Sequence, residues 1–237
     1  MDIHALLTAL FPLGHAVTVD GAFISGTAKT QIAPSVEVVG TANAVAVDAA
    51  LSLRIAGRIL SALEGPPRPF VFLVDTSGQA LRRHEELIGL NAYLAHVAAC
   101  VDVARRNAFP SLSIVYGEAV SGGYLSLGLM ADRAYALGNA QIRVMDLAAM
   151  ARVTRLPLQQ ITQLAKDSPV FAPGAANYAR MGAVHAMWPE ASAALLEDAL
   201  AELMRASLLT DERTALGRER GGRMLAEPTA AAVARAV

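Results

Sequence analysis

The chain carries one cysteine, Cys100, in 237 residues. A single thiol excludes an internal disulfide framework and fits a reducing, cytoplasmic compartment. Set in an apolar helical run, Cys100 reads as a small core residue. Charged residues are scarce at 17%, aromatics at 5%, and the formal net charge is −1. There is no basic excess of the kind that draws nucleic acid. No run of about 18 or more residues is free of charges and helix breakers, so no membrane span is expected. The opening Met1-Asp2-Ile3-His4 lacks the basic start of a signal peptide. The histidines are not spaced as metal ligands with Cys100, so no metal site is expected, and no Ser-His-Asp arrangement stands out.

What the chain has instead is apolar surface. Hydrophobic residues make up 54%, more than an ordinary soluble domain carries. With no membrane to absorb the surplus, it reads as surface buried against other chains, hence an oligomer or a subunit. The length supports a sizeable core. No internal repeat or low-complexity linker divides the chain, so residues 1–237 read as a single domain. The polar tail from Asp211, interrupted by Gly217, Gly221 and Gly222, is expected to dock on a partner or fray.

Residues 1–35 are mixed, with a hairpin expected between Ala16 and Ile24 around Asp20-Gly21. Val36 to Gly40 reads as a strand. Ala44 to Leu63 follows helical spacing until Pro66, Pro67 and Pro69 stop it. Phe70 to Val74 is a continuous apolar run, the mark of a central parallel strand. A loop, Asp75 to Gln79, and a helix from Glu85 to Arg106 follow. Ser111 to Tyr116 is a second buried strand, leading through a sharp turn into a helix expected to run to Asp132. Short strands are expected at Arg133 to Leu137 and Ile142 to Met145, and helices at Pro157 to Ala165, Gly174 to Met181 and Glu190 to Leu209. Ser168 to Pro173 reads as extended, and Gly182 to Trp188 as a turn and sheet edge. The fold class is therefore α/β with repeated strand-loop-helix units. Ligands in such sheets collect outside the carboxyl ends of strands, which here bear Gly78 and Gly122.

The segment Gly117-Glu118-Ala119-Val120-Ser121-Gly122-Gly123-Tyr124 offers the clearest chemistry. Ser121 is a candidate N-cap. Glycines at a helix start leave bare amides for a ligand, backed by the helix dipole. Such a turn can stabilise developing negative charge as an oxyanion hole. Alternatively, the glycines only allow the helix to pack close on the sheet. Glu118 is either an orienting carboxylate or one that bonds loop amides. Tyr124 is either a proton donor or a packed wall. His84 is a candidate proton donor or a solvated surface residue; Arg82 and Arg83 beside it can attract an anionic carrier. Asp132-Arg133 reads as structural, and His185 and Trp188 as edge packing.

The Gly-Glu-Ala-Val-Ser-Gly-Gly-Tyr run and the Asp75-Thr76-Ser77-Gly78 loop resemble the carboxyltransferase branch of the crotonase-like (ClpP/crotonase) superfamily. Within it the chain most resembles the gamma subunits of biotin-independent malonate decarboxylases, over roughly residues 15 to 210. The resemblance implies decarboxylation of malonyl-S-acyl carrier protein to acetyl-S-acyl carrier protein and CO2. It implies an active site shared with a beta-type crotonase-like subunit. It also implies an acyl carrier protein subunit with a CoA-derived thiol arm, an acyl carrier protein transferase subunit, and no cofactor bound covalently to this chain. The amides of Gly122 and Gly123, with a second set at Gly78 and Gln79, are then the expected catalytic donors. Ser77, Ser121, Tyr124, Glu118 and His84 are the expected substrate-binding residues. Two departures bear on this. Tyr124 and Leu125 stand where hydratases of the superfamily carry a glutamate, which removes their general acid/base. Ser77 stands where the carboxylase-type loop has proline. A biotin-dependent carboxyltransferase subunit and a non-catalytic scaffold are the alternatives.

Overall fold

The structure is a computed structural model that describes residues 2–167, 172–206 and 211–236. The strands are β1 (Thr18–Asp20), β2 (Phe23–Ala28), β3 (Val36–Thr41), β4 (Val45–Val47), β5 (Phe70–Gln79), β6 (Ser111–Val120), β7 (Arg133–Leu137), β8 (Gln141–Arg143) and β9 (Ala186–Trp188). The helices are α1 (Ile3–Leu10), α2 (Ala49–Ala62), α3 (Arg83–Leu87), α4 (Leu90–Arg106), α5 (Ser121–Leu127), α6 (Leu147–Thr154), α7 (Leu158–Asp167), α8 (Ala175–Arg180), α9 (Ala193–Arg205), α10 (Arg213–Glu219) and α11 (Ala226–Ala236).

The strands run in the order β1-β2-β3-β5-β6-β7-β9. The β1–β2 and β2–β3 pairs are antiparallel, and the strands from β3 onward pair in parallel. Phe70 to Val74 are each at most 1% exposed, as a strand flanked and covered on both faces requires. Alternate residues face opposite layers. Val71, Leu73, Leu112 and Ile114 pack with Leu6 and Leu10 of α1 and Leu196 and Leu200 of α9. Phe70 and Phe72 point the other way, onto Ile55 and Ile59 of α2 and Val97 and Val101 of α4. Each fully buried ring contributes about 1.5–3 kcal/mol. Cys100 lies in this second layer, buried.

β5 and β6, at 10 residues each, outrun the apolar segments Phe70 to Val74 and Ser111 to Tyr116 that announce them, because both continue past a bulge. The first half of β5 pairs with β3 and its second half, through Gln79, with β4. Likewise β6 pairs first with β7 and then, from Glu118 to Val120, with β8. The expected loop at Asp75 to Gln79 is therefore strand.

Other boundaries move for local reasons. The helix expected from Ala44 begins only at Ala49, where Asp48 caps it by accepting from Leu51 N at 2.8 Å; Asn43 and Ala44 have φ of 62° and 47°. The helix expected from Glu85 to Arg106 is broken at Gly89, whose φ of +75° no helix tolerates. Glu85, buried, turns back to accept from Ala49 N at the start of α2. The helix expected to reach Asp132 ends at Leu127. Helices α1 and α6 were not anticipated. The extended stretch expected at Ser168 to Pro173 falls largely at 168–171, and the end of the helix expected to reach Leu209 at 207–210, outside the described residues.

The tail is more ordered than a frayed end. Residues 211–222 dock on their own chain. Gly182, at φ +82°, approaches α10 so closely that a Cβ there would sit 2.2 Å from Arg213 O and 2.5 Å from Gly217 N. Arg220 donates to the carbonyls of Ala179, Val184 and His185 at 2.7, 3.0 and 2.8 Å. Arg213 donates to Leu129 O at 2.6 Å. Two of the glycines that read as interruptions, Gly217 and Gly222, are part of the contact, against Met181 O and Arg180 O. Within the tail, α10 buries Gly217 and α11 has no buried residue. Among the described residues no helix is long and apolar enough to cross a membrane.

Candidate active site

β5 and β6 end side by side, Thr76 in register with Ala119. Between Val74/Val115 and that pair, β6 advances four residues while β5 advances two. The excess bulges around Gly117, and the Asp75 carboxylate fills the space. Its Oδ1 accepts from Glu118 N at 2.8 Å and its Oδ2 from Ala44 N at 2.9 Å. One carboxylate thus ties the β6 bulge to the left-handed turn before β4. Thr76, fully buried, donates its hydroxyl to Val45 O at 2.7 Å and accepts from Gly78 N at 3.1 Å.

At the end of β6 the chain reverses through Ser121, whose φ of +45° is a strained conformation for a residue with a Cβ. Ser121 is the first residue of α5, and the N-cap is Val120, with no side-chain cap bond. The expected capping role is corrected: the sharp exit from the strand puts the cap one residue earlier. Gly123 is pressed against the end of β5; a Cβ there would lie 2.8 Å from Thr76 Oγ1 and 2.9 Å from Gly78 O. That is the packing use of glycine. Gly122 is less confined, with Gln79 Oε1 and Leu94 Cδ1 each 3.1 Å from its ideal Cβ.

Two of the four expected anion-binding amides already have partners. Gly122 N–H donates to Gln79 Oε1 at 3.0 Å, and Gly78 N–H donates to the Thr76 hydroxyl. Gly78 serves the strand end, where its φ of +105° requires glycine. The Gly123 amide lies in the first turn of α5, where N–H groups have no intrahelical carbonyl.

The family of the chain follows from comparison with known proteins. A family model described as malonate decarboxylase gamma subunit matches residues 41–237. The chain belongs to the malonate decarboxylase gamma-subunit family. The malonyl-S-ACP:biotin-protein carboxyltransferase MADD of Malonomonas rubra is 31% identical over 170 residues, 67% of this chain. The chain spans about 58% of the length of that curated relative. The Pseudomonas malonate decarboxylase hetero-tetramer solved in complex with coenzyme A contains a chain with a TM-score of 0.75 at 24% identity, covering 98% of this chain and 95% of that one. The transcarboxylase 12S structure matches at a TM-score of 0.71 and 18% identity, covering 87% of this chain and 42% of that one. These two likenesses show the fold, which is crotonase-like.

In this gamma-family chain the remaining expected residues are scattered around the turn. Ser77 is exposed at the end of β5, its N–H donating to Ala44 O at 3.3 Å. Glu118 accepts from Arg143 of β8 at 3.1 Å, a pairing that holds β8 in register. His84 is exposed on α3. Tyr124 is 1% exposed and sits behind the turn, against Val74, Ala119 and Tyr178. Its hydroxyl has no partner among the described residues, and burial pushes it well above the usual phenol range. A hydroxyl so placed fits the packed-wall reading of Tyr124. Asp132 is structural, accepting from Arg105 and from Ser111 N and Oγ. His185 accepts from Ala134 N, and the Trp188 ring lies tilted against Tyr135 with centroids 4.7 Å apart.

Residue reading overlooked the Asp75 carboxylate, the Thr76 hydroxyl, the Gln79 carboxamide and Arg143. Asp75 and Thr76 had a signal, since polar residues directly after a run buried on both faces must satisfy themselves across the sheet. Gln79 had none, because its partner lies 43 residues away.

Proposed function

We propose that the chain forms one half of a malonate decarboxylase active site, completed by a beta-type crotonase-like subunit. The complex converts malonyl-S-acyl carrier protein to acetyl-S-acyl carrier protein and CO2. The malonyl group arrives on the CoA-derived thiol arm of an acyl carrier protein, installed by a transferase subunit, and no group need be bound covalently to this chain. The observation that carries the reading is the meeting of the β5 end with the Ser121-Gly122-Gly123 turn, in a chain of the gamma family.

The chemistry asks little of side chains. The bond between the methylene carbon and the carboxylate breaks, and CO2 leaves. The electron pair forms the carbon–carbon double bond of an enolate, whose charge rests on the thioester oxygen. Protonation of the enolate carbon gives the acetyl thioester. N–H donors aimed at that oxygen stabilise the transition state more than the ground state. One such donor is worth on the order of 3 kcal/mol, about a hundredfold in rate. On this side the Gly123 amide at the start of α5 is the nearest donor, beside the Gly122 amide that holds Gln79 and the Gly78 amide that serves Thr76. Ser77, Ser121 and Glu118 surround them, and His84 lies further out on α3.

A second reading has its own support, since the Malonomonas rubra relative is named for carboxyl transfer to a biotin protein. One experiment separates the two. Malonyl-thioester decarboxylation is measured with the chain alone and with its co-purified partner, each with and without avidin. Activity that requires the partner and ignores avidin supports the decarboxylase. Avidin-sensitive activity supports the transferase. No activity in any mixture overturns both and leaves a scaffold.

A further inference from the structure

Gln79 was expected to contribute through its backbone, but its side chain is the better-placed group. We propose that the Gln79 carboxamide, through Nε2, is a donor to an anionic oxygen of the substrate, an inference that rests on the decarboxylase reading above.

A carboxamide can face either way, and here its neighbour decides. The group 3.0 Å from it is the Gly122 N–H, a donor, so the oxygen must face Gly122 and the amino group must face away. Nε2 has no hydrogen-bond partner among the described residues. The buried side-chain polar atoms without partners there are Arg58 Nε and Tyr124 OH, so Nε2 is open to solvent. It carries two N–H donors, and none is spent within the described chain.

The anchor also tunes the donor. A carboxamide whose oxygen accepts a hydrogen bond becomes a stronger donor at nitrogen. Gly122 then acts through Gln79: its N–H holds and polarises the carboxamide, and the carboxamide meets the anion. The side chain is held at both ends. Its backbone is paired with Val47 of β4, and its oxygen is fixed by the turn, so little entropy is lost when an anion arrives.

Three rival roles predict different results, and the complex of the full chain with its partner distinguishes them. Gln79→Glu keeps an oxygen for Gly122 and removes the donor. If Nε2 contacts the substrate, this variant loses about a hundredfold in kcat with its melting temperature unchanged. If Gln79 only fastens the turn, Gln79→Glu keeps its activity within threefold, and the proposal falls. If Gln79 is a plug on the Gly122 amide, Gln79→Ala gains activity, and the proposal falls again. Malonate binding by calorimetry is the second readout, independent of turnover. Should the wild-type complex turn over no malonyl thioester, the decarboxylase reading fails, and malonate alone decides the donor role. Binding at least tenfold weaker in Gln79→Glu sustains it. Equal binding, or none by the wild type, overturns it.

Discussion

The Asp75 carboxylate occupies the place where a side chain on Gly117 would stand. A Cβ at Gly117 would lie 2.3 Å from Asp75 Oδ1 and 2.6 Å from Asp75 Cγ. The two positions are locked together, since the carboxylate that excludes the side chain also holds the bulge that brings Gly117 so near.

Gly117→Ala is therefore expected to expel the carboxylate from between Glu118 N and Ala44 N. Hydrogen bonds to a charged group contribute about 1.5–3 kcal/mol each, so losing both is expected to cost roughly 3–6 kcal/mol in urea unfolding. Asp75→Asn, which keeps the shape and one acceptor, should lose less. An unchanged urea midpoint for Gly117→Ala would show that the carboxylate does not need this space.

The two glycines of the turn should respond differently. An added methyl at Gly123 meets Gly78 O and Thr76 Oγ1 inside 3.0 Å, whereas at Gly122 it meets the ends of two flexible side chains at 3.1 Å. Gly123→Ala is expected to lower both melting temperature and decarboxylation sharply. Gly122→Ala should stay folded with its melting temperature within a few degrees and lose activity through a displaced Gln79. Equal melting temperatures for the two variants would contradict the close approach at Gly123.

His185 makes stability pH-dependent. Burial, with Arg133, Arg213 and Arg220 nearby and Asp211 opposing them, lowers its pKa from the ordinary 6.5 to about 4. The neutral ring accepts from Ala134 N through Nδ1 at 3.2 Å, which a protonated ring cannot do. Because the unfolded chain takes the proton more readily, stability is full above about pH 6.5, falls as the pH drops towards 4, and is flat below. The total is at most roughly 3 kcal/mol. Urea midpoints from pH 7.5 to 3.5 should show this slope in the wild type and lack it in His185→Asn.

The carboxyl-terminal segment should divide in two under truncation. Ending the chain at residue 224 removes α11, which buries nothing, and should shift the melting temperature by no more than a degree or two. Ending it at residue 210 removes Arg213 and Arg220 with their four carbonyl bonds and should cost several degrees. Arg220→Ala alone should sit between, with faster proteolysis at the loop around Gly182.

Much of the fold was legible because it rests on burial. Phe70 to Val74 and Ser111 to Tyr116 declare central strands, and the turn at Asp20-Gly21 declares its hairpin. What escaped was whatever depends on a distant partner. Asp75, Thr76 and Ser77 have turn-like chemistry, and only pairing with β4 makes them strand. Gly217 and Gly222 look like breakers until Gly182 and Arg180 are seen against them. That the two glycine-bearing segments meet at the strand ends was legible for the same reason as the strands, since both follow buried runs. Its wiring was not. Which side chain takes the Gly122 amide is a fact of three dimensions, and sequence spacing carries no trace of it.

Both strands that carry the turn are paired to their last residue on one flank: β5 with β4 through Gln79, and β6 with β8 through Val120, while the ladder between β5 and β6 reaches Thr76 and Ala119. The Gly78 corner cannot swing without opening the ladder to β4, and the Ser121 corner follows directly on the ladder to β8. A backbone held this way exchanges its amide protons slowly and moves little on the timescale of turnover. The chain works as an anvil. On the proposed reading, any opening that admits the malonyl arm or lets CO2 leave is made by the surface that faces it.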